Sequence, residues 1–140
     1  MKKIILFIAL LSFIQSGYCQ IGKKPAELDS SSTEGMSESE KSKKEARDKI
    51  ESYRQRVLKG ESMSALAKLY SEDPGSAKEG GCYRDIGRGV FVPEFEEVAF
   101  KLKPGEVSEV FETQYGFHFI QLIDRRGEIV DLRHILVKIK

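Results

Sequence analysis

The chain has 140 residues, of which 23 are basic, 22 acidic and 40% hydrophobic. So even a balance excludes the basic footprint of a nucleic-acid binder and the polybasic patch of a membrane-surface protein. The length allows one modest core rather than two, and two cysteines, Cys19 and Cys82, make no disulfide framework.

In chain order, Met1 to Cys19 joins a basic start, Lys2-Lys3, to an apolar run too short to span a bilayer and then to small or polar residues. This is the pattern of a secretory signal peptide cut ahead of Gln20, and it places the mature chain outside the cytoplasm, periplasmic or secreted. A lipid anchor on Cys19 is the rival reading, disfavoured by the bulky Tyr18 before it. Cleavage removes Lys2 and Lys3 and leaves 21 basic against 22 acidic side chains. Residues 20–44 are Ser-, Glu- and Lys-rich, with Asp29-Ser-Ser-Ser-Thr-Glu34 at their centre, and read as a disordered polar leader. One folded domain is expected over residues 45–140.

Ala46, Ile50, Tyr53 and Val57 recur at helical spacing before Gly60 and predict an amphipathic helix. Ser62 can cap a second helix with Met63, Leu66, Ala67 and Tyr70 inward, ending before the turn residues Asp73-Pro74-Gly75. A third starts at Pro93 and turns Phe95, Val98, Ala99 and Leu102 inward. Strands are expected at residues 107–112, 117–124 and 129–139, the last two rich in β-branched and aromatic residues. These elements make an α+β domain with helices on one side of a sheet. A three-residue loop Arg125-Arg126-Gly127 would close a hairpin; if Asp124 faces Glu128, His118 stands directly across from His134 on one face.

Tyr70-Ser-Glu-Asp-Pro-Gly-Ser-Ala-Lys-Glu-Gly-Gly81, Gly89-Val-Phe-Val-Pro-Glu-Phe-Glu-Glu-Val-Ala-Phe100 and Tyr115-Gly-Phe-His-Phe-Ile120 resemble, in order and spacing, the parvulin family of peptidyl-prolyl isomerases. The resemblance runs from Glu45 to Asp124. It implies a parvulin/FKBP-like antiparallel sheet of three to four strands with three to four helices. The family's opening His-Ile-Leu-Val strand is displaced here to the end, as Arg133-His-Ile-Leu-Val137. Two histories fit: a circular permutation in which the terminal hairpin restores the missing strand, or the opening of a second, tandem copy of the domain.

The resemblance also implies a site. His118 and His134 match the family's two strand histidines, Thr113 the position that hydrogen-bonds one of them, and Asp73 an acidic or cysteine position near the substrate amide. Phe91 and Phe95 match the walls of a slot for the proline ring, with Leu102 or Ile120 as further apolar wall; Arg88, read from its position near the cleft, either meets an acidic residue before proline or stays a solvated charge, the commoner outcome for such an arginine. By periodicity alone Phe95 is as well suited to the core as to a pocket, and Asp73 is equally a turn-capping aspartate. Whether that carboxylate opposes charge on the substrate oxygen or favours pyramidalisation of the nitrogen stays open. Where the family continues after its glycine pair with Asp-Leu-Gly and an aromatic, this chain has Cys82-Tyr83-Arg84-Asp85-Ile86. Cys82 has no nucleophile motif around it, and a zinc site from Cys82, Asp73 and the two histidines lacks close ligand spacing.

The function implied is an exported peptidyl-prolyl cis–trans isomerase, working as a monomer and without cofactor or metal on unfolded or partly folded proline-containing polypeptides, with no nucleic acid and no stable membrane span. The alternative is a noncatalytic chaperone holding extended chains in the same groove.

Overall fold

A computed structural model of the chain describes residues 35–140. The expected signal peptide and most of the expected leader lie outside the described residues. The first helix, α1 (Glu38–Leu58), begins inside the stretch expected to be disordered. Its start is fixed by a capping box: Ser37 accepts from the Glu40 amide while the Glu40 carboxylate accepts from Ser37. Ala46, Ile50, Tyr53 and Val57 are buried on one face, as their spacing predicts. Helix α2 (Met63–Tyr70) is capped by Ser62 and buries Met63, Leu66 and Ala67. Tyr70, expected to face inward, is partly exposed; it stacks on Tyr53 at 4.8 Å with the Arg56 guanidinium over its ring. A 3-10 turn, Ala77–Glu79, then leads into strand β1 (Cys82–Ile86), which the sequence reading did not anticipate. Helix α3 (Pro93–Ala99) opens on its proline. Leu102, expected on its inward face, is buried just beyond the helix end.

Three further strands follow: β2 (Phe111–Thr113), β3 (Gly116–Arg126) and β4 (Ile129–Val137). Of the strand expected at residues 107–112, only a single bridge, Val107 to Gln121, and the short β2 form. The sheet is antiparallel in the order β1-β4-β3-β2, so the last strand in sequence is central in space. Helices cover both faces rather than one. Phe117, Phe119, Ile135 and Val137 pack against α1 and α2, while Ile120, Leu122, Val130 and Leu132 pack with Phe95 and Ala99 of α3. No helix among the described residues is long and apolar enough to cross a membrane.

The β3–β4 hairpin differs from the expected one in two ways that nearly cancel. Its loop has two residues, Gly127 and Glu128, with Arg126 paired to Ile129. Gly127 has φ +62, and a two-residue hairpin loop favours glycine at such a position. Carried along the whole strand, that closure would set His118 opposite Val137 and turn its ring away from that of His134. A bulge intervenes: pairing shifts between Leu122 and Asp124, leaving Ile123 without a partner. Beyond it Ile120 pairs with His134 and His118 with Leu136. The two histidines are therefore diagonal neighbours, not directly opposed as the three-residue loop would require, and they share the α3 face.

Strand β4 is held at Gly81, the residue before β1, whose carbonyl accepts the His134 amide at 2.9 Å. Gly81 has φ +73, and a Cβ there would stand 2.2 Å from the His134 carbonyl oxygen. Gly81→Ala is expected to destabilise the domain by about 2 kcal/mol or more, measured by urea denaturation, because both the backbone conformation and the strand contact resist a side chain. A loss below about 0.5 kcal/mol would contradict this packing.

Candidate functional site

Four segments meet over the α3 face of β3 and β4. Asp73 lies in the turn after α2, and β4 itself holds that turn: the Glu72 amide donates to the Leu136 carbonyl at 2.8 Å, and the Leu136 amide to Ser71 Oγ at 3.2 Å. Asp73 Oδ2 in turn accepts from the Ser76 amide and hydroxyl, from Tyr83 Oη at 3.0 Å and from His134 Nε2 at 3.0 Å. The Nδ1 atoms of His134 and His118 approach to 3.4 Å, with the rings stacked at 11° and 5.6 Å between centroids. His118 Nε2 meets Thr113 Oγ1 at 2.8 Å, and that hydroxyl also accepts the Tyr115 amide at 3.2 Å. An unbroken chain of hydrogen bonds thus runs Asp73, His134, His118, Thr113.

Its direction follows from the acid at one end. The hydrogen bond from His134, then those from Ser76 and Tyr83, hold the Asp73 carboxyl well below the usual carboxylate range against the opposing effect of burial. An ionised carboxylate only accepts, so His134 donates from Nε2. From the other end, the Thr113 hydroxyl already accepts the Tyr115 amide and has His118 Nε2 as the acceptor for its own proton, so His118 donates from Nδ1 and His134 Nδ1 accepts. Every member is satisfied in that one arrangement. His118 is pushed down to about 4, by burial first and by His134 second, so it is neutral at physiological pH.

Beside the chain of hydrogen bonds opens a cavity of about 410 Å³ lined by Asp73, Pro74, Tyr83, Val90, Phe91, Val92, Phe95, Tyr115, His118, His134, Leu136 and Lys138. Phe95 stands edge-on to both imidazoles at 5.7 and 5.3 Å, and Phe91 packs on it at 4.5 Å. The wall segment 89–91 is held by one carboxylate oxygen: Glu96 Oε1 accepts the amides of Gly89, Val90 and Phe91 at 2.6, 2.9 and 3.1 Å. What the arrangement offers is an apolar slot with a negative charge and oriented N–H and O–H groups at its floor. No group of three or more His, Cys, Asp and Glu side chains able to hold a metal ion occurs among the described residues.

The model of the PPIC-type peptidyl-prolyl isomerase (rotamase) domain matches residues 28–124 of this chain. The chain belongs to that family. Chaperone SurA of Nitrosococcus oceani is 42% identical over 87 residues, which are 62% of this chain and 20% of that protein. Foldase protein PrsA of Geobacillus kaustophilus is 49% identical over 86 residues, 61% of this chain and 28% of the foldase. The crystal structure of the peptidylprolyl isomerase PrsA from Bacillus cereus aligns with a TM-score of 0.55 at 39% identity, covering 59% of this chain and 32% of that one. This PPIC-type chain therefore spans less than a third of each of these three relatives. The family match ends at Asp124, before β4 and His134.

Of the residues singled out in the sequence of this PPIC-type domain, His118, His134, Asp73, Thr113, Phe91 and Phe95 come together at the cavity or in its hydrogen-bond chain. Leu102 and Ile120 do not line the cavity: both lie in the core between α3 and the sheet, Leu102 beyond the helix end at Phe100. Arg88 is also elsewhere. It pairs with Glu128 of the hairpin loop and lies 4.2 Å over the Phe100 ring, which occupies its guanidinium. Cys82 is a free, half-buried thiol paired across β1–β4 with Arg133. Besides the cavity-wall residues Pro74, Val90, Val92, Tyr115, Leu136 and Lys138, the sequence does not single out two donors to Asp73, Ser76 and Tyr83. Ser76 is a turn serine like many others, and its proximity to His134 Nε2 (3.0 Å) depends on a contact across 58 positions. Tyr83 lay within the departing segment 82–86, but nothing in the sequence told which face of β1 it takes.

The low affinity of folded His118 for a proton makes stability fall with pH. An unfolded histidine takes up a proton near 6.5, whereas His118 in the fold stays neutral until about 4. Acidification through that window therefore favours unfolding. From pH 7 to pH 4.5 urea denaturation is expected to show a loss of about 2 to 3 kcal/mol attributable to this group. His118→Gln is expected to flatten that slope; an equal slope in the variant would contradict the burial of a neutral imidazole. Asp73 adds a loss in the same direction only at lower pH, since its contribution persists above the unfolded carboxyl value of 3.8.

Proposed function

We propose that this chain is an exported peptidyl-prolyl cis–trans isomerase assisting the folding of secreted or envelope polypeptides. The observation that carries the reading is the apolar cavity walled by Phe91 and Phe95 directly against the hydrogen-bonded imidazoles of His118 and His134. Rotation about an Xaa-Pro bond meets a barrier of about 18–20 kcal/mol because the amide is conjugated. A site lowers that barrier by binding the twisted amide better than either planar form. Phe91 and Phe95 would hold the pyrrolidine ring and exclude water, while His118, His134 and Thr113 keep the polar floor in one geometry. Asp73 supplies fixed negative charge there, disfavouring charge build-up on the carbonyl oxygen of the planar form. No covalent bond is made or broken and no cofactor is called for.

Export rests on the signal-peptide pattern of Met1 to Cys19, with the isomerase domain following the polar leader. Foldase and chaperone names among the relatives support polypeptide substrates for this chain. The central position of β4 supports the view that the terminal His-Ile-Leu-Val segment stands in for the family's displaced first strand. A second reading, a noncatalytic chaperone using the same groove, is favoured by Val90 and Tyr115, 59% and 57% exposed at the cavity.

A protease-coupled assay on Ala-Pro peptides separates the two. The wild-type chain is expected to accelerate isomerisation, Phe91→Ala to lower kcat/KM roughly tenfold by loss of apolar contact, and His134→Ala to lower kcat. No acceleration by the wild type at any pH, together with equal binding of peptides lacking proline, would replace the isomerase with the chaperone.

A further inference from the structure

Tyr83 reaches the cavity from β1. Its ring lies edge-on to Phe91 at 5.1 Å and 5.4 Å from the His134 ring, and its hydroxyl donates to Asp73 Oδ2. That oxygen is crowded: the Ser76 amide, the Ser76 hydroxyl, His134 Nε2 and Tyr83 Oη all converge on it. A carboxylate provides about four acceptor directions over both its oxygens, so four donors on one oxygen exceed what it can serve well. Ser76 is fully buried and its amide is fixed by the turn; His134 is buried and held from both sides by Asp73 and His118. Tyr83 alone among the four donors is half-buried and lines the cavity with its side chain, so it can turn from Asp73 without leaving the carboxylate unpaired.

We infer that Tyr83 is a further catalytic residue of this site, its phenol O–H donated to the nitrogen of the rotating Xaa-Pro amide; this rests on the isomerase reading above. The nitrogen of a planar amide shares its lone pair with the carbonyl and accepts no hydrogen bond. As the bond twists, conjugation is lost and the lone pair localises on a pyramidal nitrogen. A donor waiting there stabilises the twisted state and not the ground state. The proton stays on the phenol oxygen throughout, and on release the hydroxyl returns to Asp73. Burial and the adjacent Asp73 charge both raise the Tyr83 pKa, which keeps the donor form. Its placement on a strand, with Tyr83 paired to Leu132 beside the tight Gly81 contact, fixes the backbone from which the ring turns more firmly than a loop would.

The test uses the full chain, with kcat and KM measured on Ala-Pro peptides by exchange spectroscopy. Tyr83→Phe keeps the ring and is expected to lower kcat about tenfold with KM nearly unchanged, the loss of one hydrogen bond made only in the twisted state. Tyr83→Leu keeps an apolar wall, also lacks the hydroxyl, and is expected to lose kcat to a similar degree. In an Asp73→Asn background the Tyr83→Phe effect is expected to persist. If it vanishes there, Tyr83 acts only through Asp73 and the direct donation is wrong. Wild-type kcat in either Tyr83 variant reduces Tyr83 to a wall and overturns the inference while leaving the isomerase reading intact. An inactive wild type overturns both.

Discussion

Everything in the site hangs on one strand, β4, inserted between β1 and β3. Its backbone meets three separate segments: Gly81 accepts the His134 amide, Glu72 donates to the Leu136 carbonyl, and the β3 ladder runs from Phe117 to Arg126. Each of those segments carries site residues, Tyr83 beside the first, Asp73 beside the second and His118 on the third. β4 adds His134 itself. Without it, Asp73 and His118 have no common neighbour and the cavity loses its floor.

The pairing alone does not suffice, because side chains alternate along a strand and parity decides which face each takes. The tight Gly127-Glu128 loop sets a register that would separate the two imidazoles. The unpaired Ile123 restores the parity, and only then do Nδ1 and Nδ1 meet on the face covered by α3. A bulge that looks like an irregularity in the hairpin is therefore what makes the polar chain continuous. The ionised Asp73 then fixes where each proton sits, and Thr113 closes the far end. Burial of His118 works against its charging, so an oriented imidazole dipole stands between the Asp73 charge and Thr113 at the wall of an apolar slot. For a reaction that breaks no bond, such preorganisation is the form of assistance available.

Much of this was legible in the residues. The spacing of Ala46, Ile50, Tyr53 and Val57 located the buried face of α1, and the turn residues after Asp124 located the hairpin. The placement of His118 and His134 on one face was also foreseen, though through two errors that offset each other. Loop length was misjudged by one residue, and a bulge carries no composition signal. Arg88 and Leu102 were misplaced because a motif gives order along the chain, while a neighbour such as Glu128 or the end of α3 decides where the side chain finally goes. β1 escaped notice since Cys82-Tyr83-Arg84-Asp85-Ile86 is not strongly alternating and holds one β-branched residue, Ile86. Ser76 caps Asp73 within one turn, but its approach to His134 and the reach of Tyr83 into the site depend on how separate segments pack, which no local pattern encodes.

The central claim is that the β3–β4 register joins the two histidines into one directed chain ending on Asp73. Long-range proton–nitrogen correlation of the imidazoles at neutral pH tests it most directly. The account requires the Nε2–H tautomer at His134 and the Nδ1–H tautomer at His118, each a single slowly exchanging species. A His118 ring carrying its proton on Nε2, or two rings each averaging over both tautomers, would contradict it.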